Sequence, residues 1–206
     1  CENCLSNHPS ACEDFNTLNF GGRREDGTTP YRLGDQDLSL FFGQSSFSQY
    51  VVTRASNAVV VDPEVDLTLL GPLGCGIQTG SGTVLNRLKP VVGESLVVFG
   101  CGAVGLSAIM AAKLTGCSQI IAVDIHASRL ALAGELGATH QINGKEQDAV
   151  AVIKQITGKG AHYAVETTGV SAIVLQAVHA VKPLGTVAIV GFTGDITLNV
   201  QNDLMA

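Results

Sequence analysis

SLVVFGCGAVGLSAIMAAKLTGCSQIIAVDIHASR, residues 95–129, decides the fold. It opens on the apolar run Leu96-Val97-Val98-Phe99, too short for a helix and rich in β-branched residues, which predicts a buried strand of a parallel sheet. Gly100-Cys101-Gly102-Ala103-Val104-Gly105 follows directly and reads G-x-G-x-x-G. Residues 103–114 are good helix formers with little charge, as a helix packed on a sheet requires. A second apolar run, Ile120-Ile121-Ala122-Val123, ends in Asp124.

Each part has a physical task. Gly100 allows the tight turn from strand to helix, Gly102 removes a side chain where backbone must approach a pyrophosphate, and Gly105 lets helix and strand pack closely. The free N–H groups and positive dipole end of the helix, at Ala103 and Val104, then face the phosphates. Asp124 stands nineteen positions after Gly105, where a carboxylate accepts both hydroxyls of an adenosine ribose and repels a 2′-phosphate. The stretch therefore predicts a dinucleotide site for NAD rather than NADP.

The 206 residues suffice for one good core and part of another. At 46% hydrophobic and 15% charged residues the chain is globular, and no apolar run approaches a membrane span. A net charge of −6 argues against a nucleic-acid or anionic-membrane partner. No signal-peptide pattern is visible, so the six cysteines read as thiols of a reducing cytoplasm, where clustered cysteines bind metal. A disulfide-stapled secreted protein is the alternative.

Cys1-x-x-Cys4 with Cys12 eight positions on has the spacing of a zinc lobe. A closed structural site takes four ligands. Either His8 is the fourth, or a cysteine upstream of Cys1 is. Residues 13–46 are polar and Gly-rich and read as loops with short strands. Residues 47–54 alternate apolar and polar as a strand, and 58–61 form another. Asp62-Pro63 breaks the chain, and Asp66 is placed to cap a helix after it. Residues 67–88 read as two helical pieces broken near Gly71-Pro72. Cys75 within them is, on spacing alone, a small buried hydrophobe.

Beyond Asp124 the alternation continues: helix 128–136 ending at Gly137, strand 140–143, helix 149–156, strand 161–165 leading into Glu166-Thr167-Thr168-Gly169, helix 171–181 stopped by Pro183, and strand 185–190. The fold class is α/β, a Rossmann-type doubly wound parallel sheet of five strands where six are usual. Because the chain starts on Cys1 and stops at Ala206 short of a sixth strand, it reads as cut at both ends.

With these pieces placed, the chain resembles the zinc-dependent medium-chain alcohol dehydrogenases along essentially all its length. Cys1, Cys4 and Cys12 resemble the last three cysteines of that family's structural zinc lobe. Gly74-Cys75-Gly76-Ile77-Gln78-Thr79-Gly80 resembles its G-C-G-x-x-T-G segment, which implies that Cys75 is a ligand of the catalytic zinc. Gly100, Gly102, Gly105 and Asp124 match the cofactor fingerprint, Arg129 a basic residue at the adenosine ribose, and Thr79, Val190 and Gly191 positions bordering the nicotinamide. Residues 15–23, together with Phe42 and the segment 47–50, resemble the bacterial aryl-alcohol (benzyl-alcohol) dehydrogenases.

The resemblance implies a partial β-rich (GroES-like) catalytic domain over residues 1–75 and an NAD-binding Rossmann domain over 76–206. It implies oxidation of a primary, aromatic alcohol to its aldehyde, with NAD and two zinc ions per intact subunit, in a homodimer or homotetramer. The family's other catalytic-zinc ligands and its proton relay match nothing in these residues, so the 206-residue chain alone is expected to be inactive. The competing function is a non-catalytic NAD-binding fragment or regulator. A zinc-free reductase on the same fold is disfavoured by Cys75 and the cysteine lobe.

Overall fold

The computed structural model describes residues 1–42, 49–51, 53 and 55–205. The chain divides into two compact units, Cys1–Val65 and Asp66–Ala206. The division falls ten residues before the boundary expected at Cys75. The reason is local: the 3₁₀ turns Leu67–Leu69 and Gly71–Gly74 run directly into helix Gly76–Gly82, which packs within the second unit.

The first unit carries little regular structure among the described residues. Helices α1 (Glu2–Leu5) and α2 (Phe15–Phe20) precede a hairpin of two short antiparallel strands, β1 (Arg32–Leu33) and β2 (Gln36–Asp37). Helix α2 lies where loop was expected. Its apolar anchor is a cluster in which the Phe20 ring stands 5.2 Å from Phe42 and 6.0 Å from Phe15. The strand expected at 58–61 does not form: Val59 and Val60 are exposed and the segment joins no ladder. β-Branched residues favour a strand only when a neighbour offers pairing and burial. Of the strand expected over 47–54, residues 47, 48, 52 and 54 lie outside the described residues, and the other four belong to no strand.

The second unit is built on five parallel strands: β3 (Ser95–Phe99), β4 (Gln119–Asp124), β5 (His140–Asn143), β6 (Ala161–Glu166) and β7 (Val181–Ile189). Their order across the sheet is β5-β4-β3-β6-β7, the doubly wound arrangement, with the direction of winding reversing between β3 and β6. Helices α3 (Gly76–Gly82), α4 (Ala103–Leu114), α5 (Ala127–Leu136), α6 (Ala149–Thr157) and α7 (Ser171–Ala180) complete it. Leu96 and Val98 pack toward α4 and α5, whereas Val97 and Phe99 pack toward α6 and α7. Helices on both faces explain the uninterrupted apolar run of β3, in which every residue is buried.

Two boundaries differ from expectation. The break in 67–88 falls at Cys75, whose φ of −138° and ψ of −84° are not helical, rather than near Gly71-Pro72. Pro72 fits inside the turn Gly71–Gly74 because an early helical position needs no N–H. Strand β7 starts at Val181, before Pro183. The sheet tolerates the proline because β7 is an edge strand and its register against β6 shifts between Ala161 and Tyr163, with Leu184 in the left-handed region at φ 65°. Asp66 caps as expected, its carboxylate accepting the Thr68 N–H at 2.9 Å.

Ile121, fully buried at the centre of β4, tests this core. Ile121→Ala is expected to lower stability by about 2–5 kcal/mol. Urea denaturation checks it: the midpoint falls while the slope stays constant.

Candidate functional site

Two of the three glycines after β3, Gly100 and Gly105, are required by what surrounds them. Gly100 takes φ 91°, and a Cβ there would stand 2.6 Å from Thr167 Oγ1. A Cβ on Gly105 would strike the carbonyl oxygen of Gly100, so α4 lies directly on the end of β3. A Cβ on Gly102 would meet nothing within 4 Å, because it would project into open space. That space is a cavity of about 580 Å³ along the C-terminal ends of β3, β4 and β6.

Asp124 closes β4 at the cavity wall and is 7% exposed. Its Oδ2 accepts the Cys101 N–H at 2.7 Å and its Oδ1 accepts the His126 N–H at 2.8 Å. The Arg129 guanidinium lies 3.8 Å from Oδ2. The two backbone donors set the orientation of the carboxylate, and each oxygen retains acceptor capacity. Cys101 itself turns into the core, where burial, reinforced by the Asp124 charge, pushes its thiol up to about 12. It is therefore not a nucleophile.

Gly100, Gly102, Ala103, Val104, Asp124 and Arg129, all singled out from the sequence, line this cavity. Gly105 stands behind it as the packing residue. Thr79, Cys75, Val190 and Gly191 lie outside the lining. Cys75 and Thr79 approach it through the packing of α3 on α4: a Cβ on Gly76 would stand 3.2 Å from the Ala103 Cβ, and one on Gly80 would strike the Val104 carbonyl. Cys75 is exposed, and among the described residues no group of three His, Cys, Asp or Glu includes it. Val190 and Gly191 follow β7, and both of their N–H groups are donated to the Glu166 carbonyl, at 2.8 and 3.1 Å.

The opposite wall contains residues that sequence reasoning did not assign. Thr167, Thr168, Val170 and Ile173 line it. Thr167 donates its hydroxyl toward the carbonyls of Phe99 and Gly100, 3.0 Å from each, which ties the end of β6 to the end of β3. The signal for these residues is positional: they follow the strand beside β3 at the switch point, where open α/β sheets bind ligands.

Both implied groups can be tested against this geometry. For a dinucleotide, the open approach at Gly102, the N-terminus of α4 and the oriented Asp124 carboxylate fit a pyrophosphate and an adenosine ribose. For zinc, Cys1 Sγ lies 3.6 Å from Cys4 Sγ and 4.0 Å from Cys12 Sγ, and all three sulfurs lie within 4.8 Å of one another. Tetrahedral zinc–thiolate bonds of about 2.3 Å place sulfurs about 3.8 Å apart, so the trio fits three corners of such a site. A hydrogen bond with the close Cys12 thiol raises the pKa of Cys4. His8 is not in this group; its Nδ1 bonds the Ser6 carbonyl at 2.7 Å.

Residues 103–206, half of the chain, match the family described as zinc-binding dehydrogenase. The geraniol dehydrogenase of Castellaniella defragrans is 45% identical over 194 residues, 93% of this chain and 52% of that protein. Two crystal structures superpose over the whole chain and 56% of their own: an alcohol dehydrogenase zinc-binding domain protein from Burkholderia ambifaria, 48% identical with a TM-score of 0.93, and the benzyl alcohol dehydrogenase of Acinetobacter calcoaceticus, 46% identical with a TM-score of 0.90. The chain spans about half the length of the curated relatives it matches. With the G-x-G-x-x-G turn, the parallel sheet and these likenesses together, the chain belongs to the zinc-binding dehydrogenase family, among the zinc-dependent medium-chain alcohol dehydrogenases.

Proposed function

We propose that residues 76–206 hold NAD for a zinc-assisted alcohol dehydrogenase that oxidises a primary, aromatic alcohol to its aldehyde. The observation that carries this is Asp124: a carboxylate at the end of β4, oriented by two backbone N–H groups and facing a cavity whose floor is a side-chain-free turn. When bound, NAD supplies a hydride acceptor and zinc a Lewis acid. The chain's own residues do the rest. Asp124 accepts the ribose hydroxyls and repels a 2′-phosphate, Arg129 flanks the same ribose, and the N–H groups of Ala103 and Val104 meet the pyrophosphate. Thr79, Val190 and Gly191 border the nicotinamide.

Cys75 anchors the catalytic metal, and the contact of Gly76 with Ala103 supports its place next to the phosphate turn. Cys1, Cys4 and Cys12 hold a second, structural zinc. The aromatic alcohol is favoured by the likeness to benzyl alcohol dehydrogenase, and geraniol dehydrogenase marks an isoprenoid alcohol as the neighbouring choice. All six thiols are free, which suits a reducing compartment, and no helix among the described residues is long and apolar enough to cross a membrane. The working assembly is a homodimer or homotetramer.

Calorimetric titration of NAD and NADP into Asp124→Ala tests the cofactor assignment. Loss of hydrogen bonds from a charged acceptor, about 1.5–3 kcal/mol each, weakens NAD by about tenfold or more. Discrimination against NADP relaxes with it, and an unchanged NAD/NADP preference removes the role of Asp124. In Cys75→Ser, elemental analysis is expected to find less zinc while NAD affinity stays near that of the wild type. Wild-type zinc content would make Cys75 a packing residue.

A further inference from the structure

Glu166, the last residue of β6, is a fully buried acid with no part in the dehydrogenase chemistry proposed for Asp124 and Cys75. Its Oε1 accepts the Thr168 N–H at 2.6 Å, the Thr168 hydroxyl, and the Gly169 N–H at 3.1 Å. Its Oε2 accepts only a long bond from the same Gly169 N–H, at 3.4 Å. All these partners are neutral donors, and the carboxyl oxygens accept from each. Its main chain is equally engaged: Glu166 pairs with Phe99 on one side and Ile189 on the other, and its carbonyl receives the N–H groups of Val190 and Gly191.

The less satisfied oxygen faces Gly191. A Cβ on Gly191 would stand 3.0 Å from Glu166 Oε2 and would strike the Gly169 N–H. Gly191 follows β7, on the far side of β6 from the Asp124 wall. A dinucleotide whose adenosine ribose lies on Asp124 crosses the switch point, so its other half extends over the ends of β6 and β7. The nicotinamide ring is cationic in NAD⁺ and neutral in NADH. A buried anion beneath it interacts with the first and hardly with the second.

We propose that Glu166 is a positioning residue of the cofactor site whose buried carboxylate, set under Gly191, favours the oxidised over the reduced nicotinamide. This rests on the proposed NAD reading of the cavity. The rest of the cofactor is common to the two forms, so an effect of Glu166 on the parts of the cavity that hold the adenosine and the pyrophosphate cancels in the ratio of their affinities.

The test is calorimetric titration of NAD⁺ and NADH into the 206-residue chain and into Glu166→Gln, which keeps the side-chain shape and one acceptor oxygen. The expected result is a shift of the affinity ratio toward NADH by about threefold to tenfold. Equal shifts in both affinities, or none, overturn the proposal and leave the dinucleotide reading standing. A wild-type chain that binds neither form removes that reading and the proposal with it. Should Glu166→Gln fail to fold, Thr168→Val decides. It keeps the charge and removes a neutralising hydroxyl donor, so the ratio moves the other way, toward NAD⁺, and an unchanged ratio overturns the proposal.

Discussion

Gly105 has no side chain because the carbonyl oxygen of Gly100 occupies the place where one would begin. This contact draws α4 onto the end of β3 and aims the free N–H groups of its first turn into the crevice. The same device recurs on the outer side of α4, where Gly80 meets the Val104 carbonyl and Gly76 meets Ala103. Strand, helix and preceding helix therefore stack through small residues, and a larger residue at any of the three glycines would push the layers apart. The cavity exists because this stack is tight on one side and Gly102 is bare on the other.

Around that frame, two carboxylates close neighbouring parts of the sheet edge by the same chemistry. Asp124 ends β4 and Glu166 ends β6, each almost without contact with water, and each is satisfied by N–H groups of the backbone around it. A buried carboxylate is costly unless donors surround it, so each acid also fixes the shape of the loops it touches. Asp124 holds Cys101 and His126, and Glu166 holds Thr168 and Gly169. Both walls of the cavity are in this way pinned to the strands that carry them. A carboxylate fixed by rigid backbone donors presents its remaining lone pairs in one direction, as a binding site requires.

Most of the second unit was legible in the residues. Apart from the early start of β7, the strands of the sheet and the helices from α4 to α7 lie where periodicity, Gly137 and the apolar runs place them, because burial on two faces leaves an unmistakable pattern. The first unit was much less legible. Val59 and Val60 have strand propensity and no strand, and Phe15 and Phe20 anchor a helix within a polar stretch. There the outcome depends on which neighbours arrive, which local preference does not encode.

The site divides along the same line. The sequence by itself determined the G-x-G-x-x-G turn, the acid at the end of β4 and the cysteine spacing, because each is a local pattern of residue type and separation. Only the tertiary structure decided that Thr167 locks onto Gly100 from 67 positions away, and that Glu166 is a buried acid at the end of β6. It likewise placed the residue after Cys75, Gly76, against Ala103 at the start of α4. These relations join segments far apart in the chain, and their partners are mostly backbone groups, which every residue possesses and no motif can mark.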